Sequence, residues 1–302
     1  MSLERSRVNF PLNKNLPPNI ARLPHFAPQT KNIHYGPEEA LQMKHILVAL
    51  AVSGNNDLLT DRTHPPSYLF HQMQVITVVE ELMREISPHT AAIVAGTHDL
   101  GRSVDNNESH IPIGYDIATE LGLPKEIANI VLMHHQWGLG IEPFGSAHFH
   151  IFANIEEKMG PMQKNPELIL NKWKESLGTE DEGIFLASLA VLIADNSKRK
   201  TFIATEKEKV PVPVIHVFDE KLGRELINVQ LEKGSYKKNS KTHWREYAGL
   251  YFTLNMIHYF EKKTGVNYKN AIKKAQERYK TEVEPELLLM WQAEFDLQNG
   301  QT

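Results

Sequence analysis

Histidine and aspartate are the residues of this sequence whose types and spacing could do chemistry. Nine of the 15 histidines lie between residues 64 and 150. One of them, His98, directly precedes Asp99 in the stretch GTHDLGR (96–102), where a run of small residues ends. The chain has no cysteine, so imidazole and carboxylate groups would have to bind any metal ion. These ligands suit iron, manganese, cobalt, nickel or zinc.

Helical phase indicates which of these side chains point inward. Three ionisable residues lie in phase with the apolar stripe of a predicted helix, namely His71, His134 and Asp195. His135 is rotated by about 100° from His134 on the same helix. A lone carboxylate at Asp195 would be costly to desolvate, so it needs a partner.

Each of these residues also has a purely structural explanation. A buried histidine can hydrogen-bond to a backbone carbonyl, and Asp195 can pair with Lys198 or Arg199 at the end of its helix. Together, however, three inward ionisable groups on three helices and the His98-Asp99 pair on a fourth form a set that a divalent metal would neutralise. The sequence predicts a metal site without choosing the metal.

The elements that must position these residues are helices. Predicted helices begin at Pro37, after Pro65-Pro66 and at Ser87-Pro88, and two more run from about Pro112 to Leu121 and from Pro124 to about Gln136. The stretch GIFLASLAVLIADNSKR (183–199) predicts a buried helix. Residues 1–36, rich in Pro and Asn, predict an irregular N-terminal arm on the surface.

The chain changes in character after Lys200. The stretch VIHVFDEKLGRELINVQL (214–231) predicts a β-hairpin, and the following residues return to helix-like spacing with many aromatic side chains. We therefore predict an all-α helical bundle over 37–200 and a C-terminal extension, 201–302, that holds the hairpin and further helices and packs on the bundle. The extension either completes a substrate pocket or packs a homodimer.

Composition excludes several classes of protein. The 302 residues carry 33 Lys and Arg against 37 Asp and Glu, a net charge of -4, which argues against nucleic acid as a partner. No apolar segment has the length of a signal peptide or a membrane span. We predict a cytoplasmic protein without a membrane partner.

The order of the polar residues resembles the HD superfamily of metal-dependent phosphohydrolases. That family has the pattern H…HD…H…HH…D on an all-helical domain, and this chain presents His71, His98-Asp99, His110, His134-His135 and Asp195 in that order. HDLGR resembles the family's HD-[IL]-G-K, and SHIPIGYDIATELGLPKEIANIVLMHH (109–135) and LAVLIADN (189–196) resemble its later motifs. The resemblance covers roughly residues 38–200 and implies an HD-domain helical bundle.

The resemblance also implies the metal ligands. A first divalent transition metal would be bound by His71, His98, Asp99 and Asp195, and a second by Asp99 as a bridge, His110 and His134. Because every one of these positions is occupied, a binuclear centre is favoured over a mononuclear one. The structural alternative for His110 is an ordinary residue in the first turn of a helix.

Three residues have implied catalytic roles. Asp99 would position the attacking water, and Arg102, where the family usually has Lys, would hold a phosphate through its planar donor fork. A solvated loop cation is the alternative for Arg102. His135 would either contact the substrate or cap its helix.

The implied function is hydrolysis of a small, nucleotide-like phosphorylated substrate by a metal-activated water. Two other functions within the fold remain open: an HD-type di-iron oxygenase, which metal identity and oxygen consumption would distinguish, and a non-catalytic HD regulatory module, against which the intact ligand set argues. Ser67 and the stretch QWGLGIEPFG (136–145) depart from the motifs of the cyclic-di-GMP-hydrolysing branch. These departures argue against that branch and against a third metal.

Overall fold

The architecture is known from a computed structural model that describes residues 20–27, 33–53, 65–104, 110–134, 167–196, 200–204, 209–213, 256–298 and 300. Its α-helices are α1 (Pro37–Ser53), α2 (Ser67–Leu82), α3 (Pro88–Thr97), α4 (His110–Glu120), α5 (Lys125–Met133), α6 (Glu167–Leu177), α7 (Glu182–Asn196), α8 (Tyr268–Arg278) and α9 (Glu284–Gln298). Residues 256–264 are also helical, and a π-helical turn, Tyr279–Val283, joins α8 to α9. The described residues are mostly helical, as the sequence predicts.

Helix starts follow the expected local chemistry. Glu38 and Glu39 occupy the first turn of α1, where carboxylates interact favourably with the helix dipole. Pro88 occupies the first position of α3, but Ser87 before it makes no capping hydrogen bond through its side chain. Gly122 ends α4 with φ 78°, a left-handed conformation that favours glycine.

Helix α3 is the centre of the bundle and contacts α1, α2, α5 and α7. Every residue from Thr90 to Thr97 is buried, and most of them are small. A Cβ atom at Gly96 would lie 2.5 Å from Met43 Cγ on α1, which is closer than real Cβ contacts. The small residues therefore allow close helix packing.

The described part of the C-terminal extension belongs to the same hydrophobic core as the bundle. Helix α8 packs on α2, and α9 packs on α1. Phe260, Ile272 and Trp291 are each at most 2% exposed within that core. Arg278 of α8 pairs with Glu80 of α2, which also accepts from Lys44 of α1 at 3.0 Å. Helices α8 and α9 of the extension thus pack against α1 and α2, and these ion pairs join α8 to both of them.

Two strands follow α7. Strands β1 (Lys200–Ala204) and β2 (Lys209–Pro213) pair antiparallel, with Lys200 opposite Pro213 and Ala204 opposite Lys209. The sequence did not predict these strands. The hairpin that it did predict, at 214–231, lies outside the described residues.

The described part of the N-terminal arm is irregular apart from one 3-10 turn, Ile20–Arg22. Its apolar side chains are nevertheless buried: Phe26 is 3% exposed and Tyr35 is 1% exposed. The Phe26 amide donates to the Leu121 carbonyl at 2.8 Å, and the Tyr35 amide donates to Thr90 Oγ1 at 3.1 Å. This part of the arm therefore closes over α3 and the end of α4.

Among the helices that the structure describes, none combines the length and apolarity needed to cross a membrane.

Candidate metal centre

The polar residues singled out in the sequence converge from five helices. His71 lies on α2, His98 caps the C-terminus of α3 and Asp99 follows it. His110 begins α4, His134 caps the C-terminus of α5, and Asp195 is the penultimate residue of α7. All six sequence-predicted metal ligands are brought together.

The six residues form two groups. In each group, one potential ligand atom from every residue lies within 4.8 Å of the others. We call His71, His98 and Asp195 the first triad, and Asp99, His110 and His134 the second triad. In the first triad, His71 Nε2 lies 3.2 Å from Asp195 Oδ1.

Asp99 lies between the two triads. Its Oδ2 atom is 3.5 Å from Nε2 of His98 in the first triad. Its Oδ1 atom faces the other way, 3.1 Å from His134 Nε2 and 3.5 Å from His110 Nε2. One oxygen of the carboxylate is therefore directed at His98 and the other at His134 and His110, which is the geometry that a bridging ligand needs.

Backbone carbonyls fix the tautomers of two of the histidines. His98 Nδ1 lies 2.5 Å from the Ala95 carbonyl oxygen, and His134 Nδ1 lies 2.8 Å from that of Val131. A carbonyl oxygen can only accept, so each Nδ1 carries the proton and donates. In the neutral ring, Nε2 is then left with a lone pair that faces Asp99. Such second hydrogen bonds are characteristic of metal-ligating histidines.

The charge state of His98 supports this geometry. Complete burial lowers the pKa of His98 from 6.5 to about 4, so its ring is neutral at pH 7. Its Nε2 atom is buried and makes no hydrogen bond within the described part of the chain. An unprotonated nitrogen and a carboxylate oxygen thus face each other without a proton between them, an arrangement that a cation would stabilise.

Asp99 is ionised in this environment. Burial by itself raises the pKa of its carboxyl, but the His98 and His134 rings and the Arg102 guanidinium outweigh that effect. Together they hold the pKa well below its ordinary value. The second triad therefore contains a carboxylate rather than a carboxylic acid at neutral pH.

The spacing of the donor atoms fits a transition metal. Atoms that bind one ion at about 2.1 Å lie between about 3.0 and 4.2 Å from one another. The distances from Asp99 and Asp195 oxygens to histidine Nε2 atoms, 3.1 to 3.5 Å, fall in that range. The nitrogen-rich donor set suits iron, manganese, cobalt, nickel or zinc rather than calcium.

Three helices direct their C-terminal ends at the centre. His98 and His134 cap α3 and α5, and Asp195 lies in the last turn of α7. Helix C-termini carry a partial negative charge, and a carboxylate there is destabilising by about 0.3–1 kcal/mol unless a cation is near. The backbone and the side chains therefore both favour a positive charge at this point.

The structure describes Arg102, one of the two catalytic candidates beside the ligands, but not the other, His135. Arg102 Nε lies 2.6 Å from Asp99 Oδ2, so its cation contacts the carboxylate directly. The solvent-exposed side of the cluster is at Arg102 and His71, whose side chains are 25% and 29% exposed, whereas no other member exceeds 8%. His135 lies outside the described residues, and so do Lys198 and Arg199, the structural alternatives for pairing with Asp195.

Sequence reasoning gave no role to two glycines beside the second triad. Gly101, in the 3-10 turn Leu100–Ser103, contacts the backbone of His110. Gly114 on α4 contacts Gly101 in turn. The available signal was Gly114 within a helical pattern, where glycine costs about 1 kcal/mol relative to alanine.

Comparison with known proteins adds no further assignment. Searches found no matching family model, no matching curated protein and no matching solved structure. What the structure does establish is a helical protein with a buried histidine and aspartate cluster that could bind metal and is compatible with an HD-type site.

Proposed function

We propose that this protein is a metal-dependent phosphohydrolase of the HD superfamily that hydrolyses a small, nucleotide-like phosphoester. The observation that carries the proposal is the placement of Asp99 between two triads, with one oxygen directed at each. The order of these residues along the chain is that of the HD pattern, which supports the family assignment.

The donor set would hold one or two divalent transition metals. His71, His98 and Asp195 would bind the first ion, His110 and His134 the second, and Asp99 both. When bound, such ions activate a water molecule for attack on phosphorus and neutralise charge on the phosphate oxygens. Phosphodiester and phosphomonoester hydrolysis both need these two effects.

The protein's own groups orient the reaction. The carbonyl of Ala95 fixes His98, and the carbonyl of Val131 fixes His134, so both rings keep Nε2 directed inward. Asp99 is anchored by Arg102, and its buried carboxylate can accept a hydrogen bond from the attacking water. Because these groups are already oriented before the reaction, they need little reorganisation during it.

Charge and exposure support an anionic substrate. The four histidines are uncharged when they act as ligands, so only two carboxylates offset the charge of the bound ions. Arg102 adds a further positive charge on the exposed side of the cluster. A phosphate entering between Arg102 and His71 would meet a positive field, and the planar guanidinium of Arg102 could bind two of its oxygens.

The test is a screen of nucleotides and other phosphoesters against metal-free protein to which Mn²⁺, Ni²⁺, Co²⁺, Fe²⁺ or Mg²⁺ is added in turn. Release of phosphate or of the alcohol product is measured under air and under nitrogen. We expect turnover with at least one transition metal, equal in both atmospheres, and at least 100-fold lower in His98→Gln. His45→Gln, a change of an exposed histidine on α1, is the matched control and should keep wild-type turnover.

Three results would contradict the proposal. Turnover that persists in His98→Gln would place the reaction elsewhere. Consumption of oxygen with an iron-loaded protein, without phosphoester hydrolysis, would assign the centre to the oxygenase alternative. A protein that binds none of these metals would be a non-catalytic module.

A further inference from the structure

The contact between Gly101 and α4 leaves no room for a side chain. A Cβ atom built on Gly101 would lie 1.8 Å from the carbonyl oxygen of His110 and 2.7 Å from the amide nitrogen of Gly114. A Cβ atom on Gly114 would lie 2.8 Å from the Gly101 nitrogen and 2.9 Å from Val131 Cγ1. Real Cβ atoms essentially never approach another heavy atom within 3.0 Å. The two backbone segments are therefore in direct contact.

This contact connects all three members of the second triad. Gly101 lies two residues after Asp99, and the atoms it touches belong to the backbone of His110 itself. Gly114 in turn packs against Val131 of α5, whose carbonyl accepts the hydrogen bond from His134 Nδ1. The distance from Asp99 to both imidazoles thus depends on how closely α4 approaches the turn at Leu100–Ser103.

The first triad does not depend on this contact. Its residues come from α2, from the end of α3 and from α7, and these three helices pack on one another. The three atoms nearest to a Cβ atom built on either glycine belong instead to α4, to α5 or to the turn at Leu100–Ser103. The centre therefore has one half built on the core helices and another half built on α4 and α5.

We propose that Gly101 and Gly114 are positioning residues that hold His110 and His134 at binding distance from Asp99, so that the second half of the centre can be lost while the first is kept. The inference rests on the metal centre of the proposed function but not on its reaction.

The test is a Co²⁺ titration of metal-free protein. Binding is measured by calorimetry and by the visible absorption of the bound ion. Wild type should bind two ions per chain. Gly101→Ala should bind the first ion with little change and the second at least about tenfold more weakly, since displaced ligands and their supports commonly cost 10–100-fold in metal affinity. His110→Ala, which removes a ligand without moving a backbone, should give the same pattern.

Two further variants keep the result interpretable. Gly183→Ala is the control, because its Cβ atom would meet only side-chain atoms, with Asp181 Oδ1 the nearest at 3.1 Å, near the start of α7. It should bind both ions as wild type does. If circular dichroism shows that Gly101→Ala is unfolded, Gly114→Ala decides, because its contacts are less severe and one of them is a side-chain methyl group.

The proposal is overturned by any of three results: two ions bound with wild-type affinity in the folded glycine variants, parallel loss of both ions in them, or a wild type that binds a single ion. None of these measurements involves hydrolysis. A failure of the proposed phosphohydrolase activity would therefore leave this inference standing, and its own failure would leave the activity untouched.

Discussion

Asp99→Asn is the change that most directly tests the centre. The amide has the same shape as the carboxylate and keeps an oxygen that can accept from Arg102 Nε, now 2.6 Å from Oδ2. The change removes the negative charge shared by the two triads. The second triad is left with two imidazoles, and the first keeps His71, His98 and Asp195. We therefore expect loss of one ion and weaker binding of the other.

The magnitude follows from linkage. An ion that binds only the folded state stabilises it by about 2.7 kcal/mol at a free concentration of 100 times its Kd. Two such ions would contribute about 5 kcal/mol. With an unfolding entropy of about 2.1 cal/mol/K per residue, each kcal/mol raises the Tm of a 302-residue chain by roughly 1.6 °C. Wild type should thus gain about 8 °C with excess metal, and Asp99→Asn at most half of that.

The assay is a thermal melt of metal-free protein at pH 7.5 with and without Co²⁺ or Zn²⁺. Asp116→Asn is the matched control, because Asp116 lies on α4 but in neither triad. The control should keep the full increase in Tm. A wild-type increase in Asp99→Asn would refute the assignment of Asp99 as a shared ligand, whatever its effect on turnover.

Three further predictions concern pH, Arg102 and the C-terminal helices. Because burial lowers the pKa of His98 from 6.5 to about 4, the folded protein binds fewer protons than the unfolded chain between these values. The metal-free protein should then lose about 3 kcal/mol of stability as the pH falls from 6.5 to 4, measured by urea unfolding, and a flat profile would contradict the burial of a neutral ring. Arg102→Lys keeps the positive charge but loses the planar pair of guanidinium donors that can bind two phosphate oxygens. We therefore expect the KM for the phosphoester to rise roughly tenfold and the metal stoichiometry to stay unchanged. Loss of an ion would instead show that Arg102 acts mainly on Asp99. Glu80→Gln leaves Lys44 and Arg278 without their shared carboxylate, so the free energy of unfolding should fall by about 1–2 kcal/mol while the Kd for metal stays within twofold. A change in metal affinity would couple the C-terminal helices to the centre.

Helical phase identified much of the centre from the sequence. Asp195 and His134 replace apolar residues in the stripes of α7 and α5, and both are buried, as that phase predicted. His71 also lies in phase with buried valines on α2, but its side chain is 29% exposed because it lies on the open side of the cluster. Periodicity specifies the direction of a side chain, not the depth at which its helix turn lies.

Other features of the centre have no local signal. The tautomers of His98 and His134 depend on carbonyls three residues earlier, and these carbonyls are available only because each helix ends at its histidine. The contact between Gly101 and the His110 backbone depends on how two separate segments meet in space. Such properties follow from tertiary packing and cannot be deduced from composition or spacing.

The C-terminal extension shows the same limit on a larger scale. The aromatic and apolar spacing of 256–298 predicted helices, and helices are present. We predicted that the extension packs on the bundle, but the spacing did not identify α1 and α2 as the helices whose core it completes. A pattern of apolar residues indicates that a helix face is buried, but it does not identify the element that packs against that face.

The pairing of Glu80 with Arg278 across 198 residues has a consequence for biosynthesis. Gln298 likewise donates to the Ala49 carbonyl across 249 residues. At about 5–20 residues per second, the ribosome completes the first helices roughly ten to fifty seconds before their partners exist. During that time the apolar outer faces of α1 and α2 lack the helices that cover them in the folded protein. Contacts of such long range also slow folding. Since α2 carries His71, we expect metal loading of the first triad to follow release of the chain rather than accompany its synthesis.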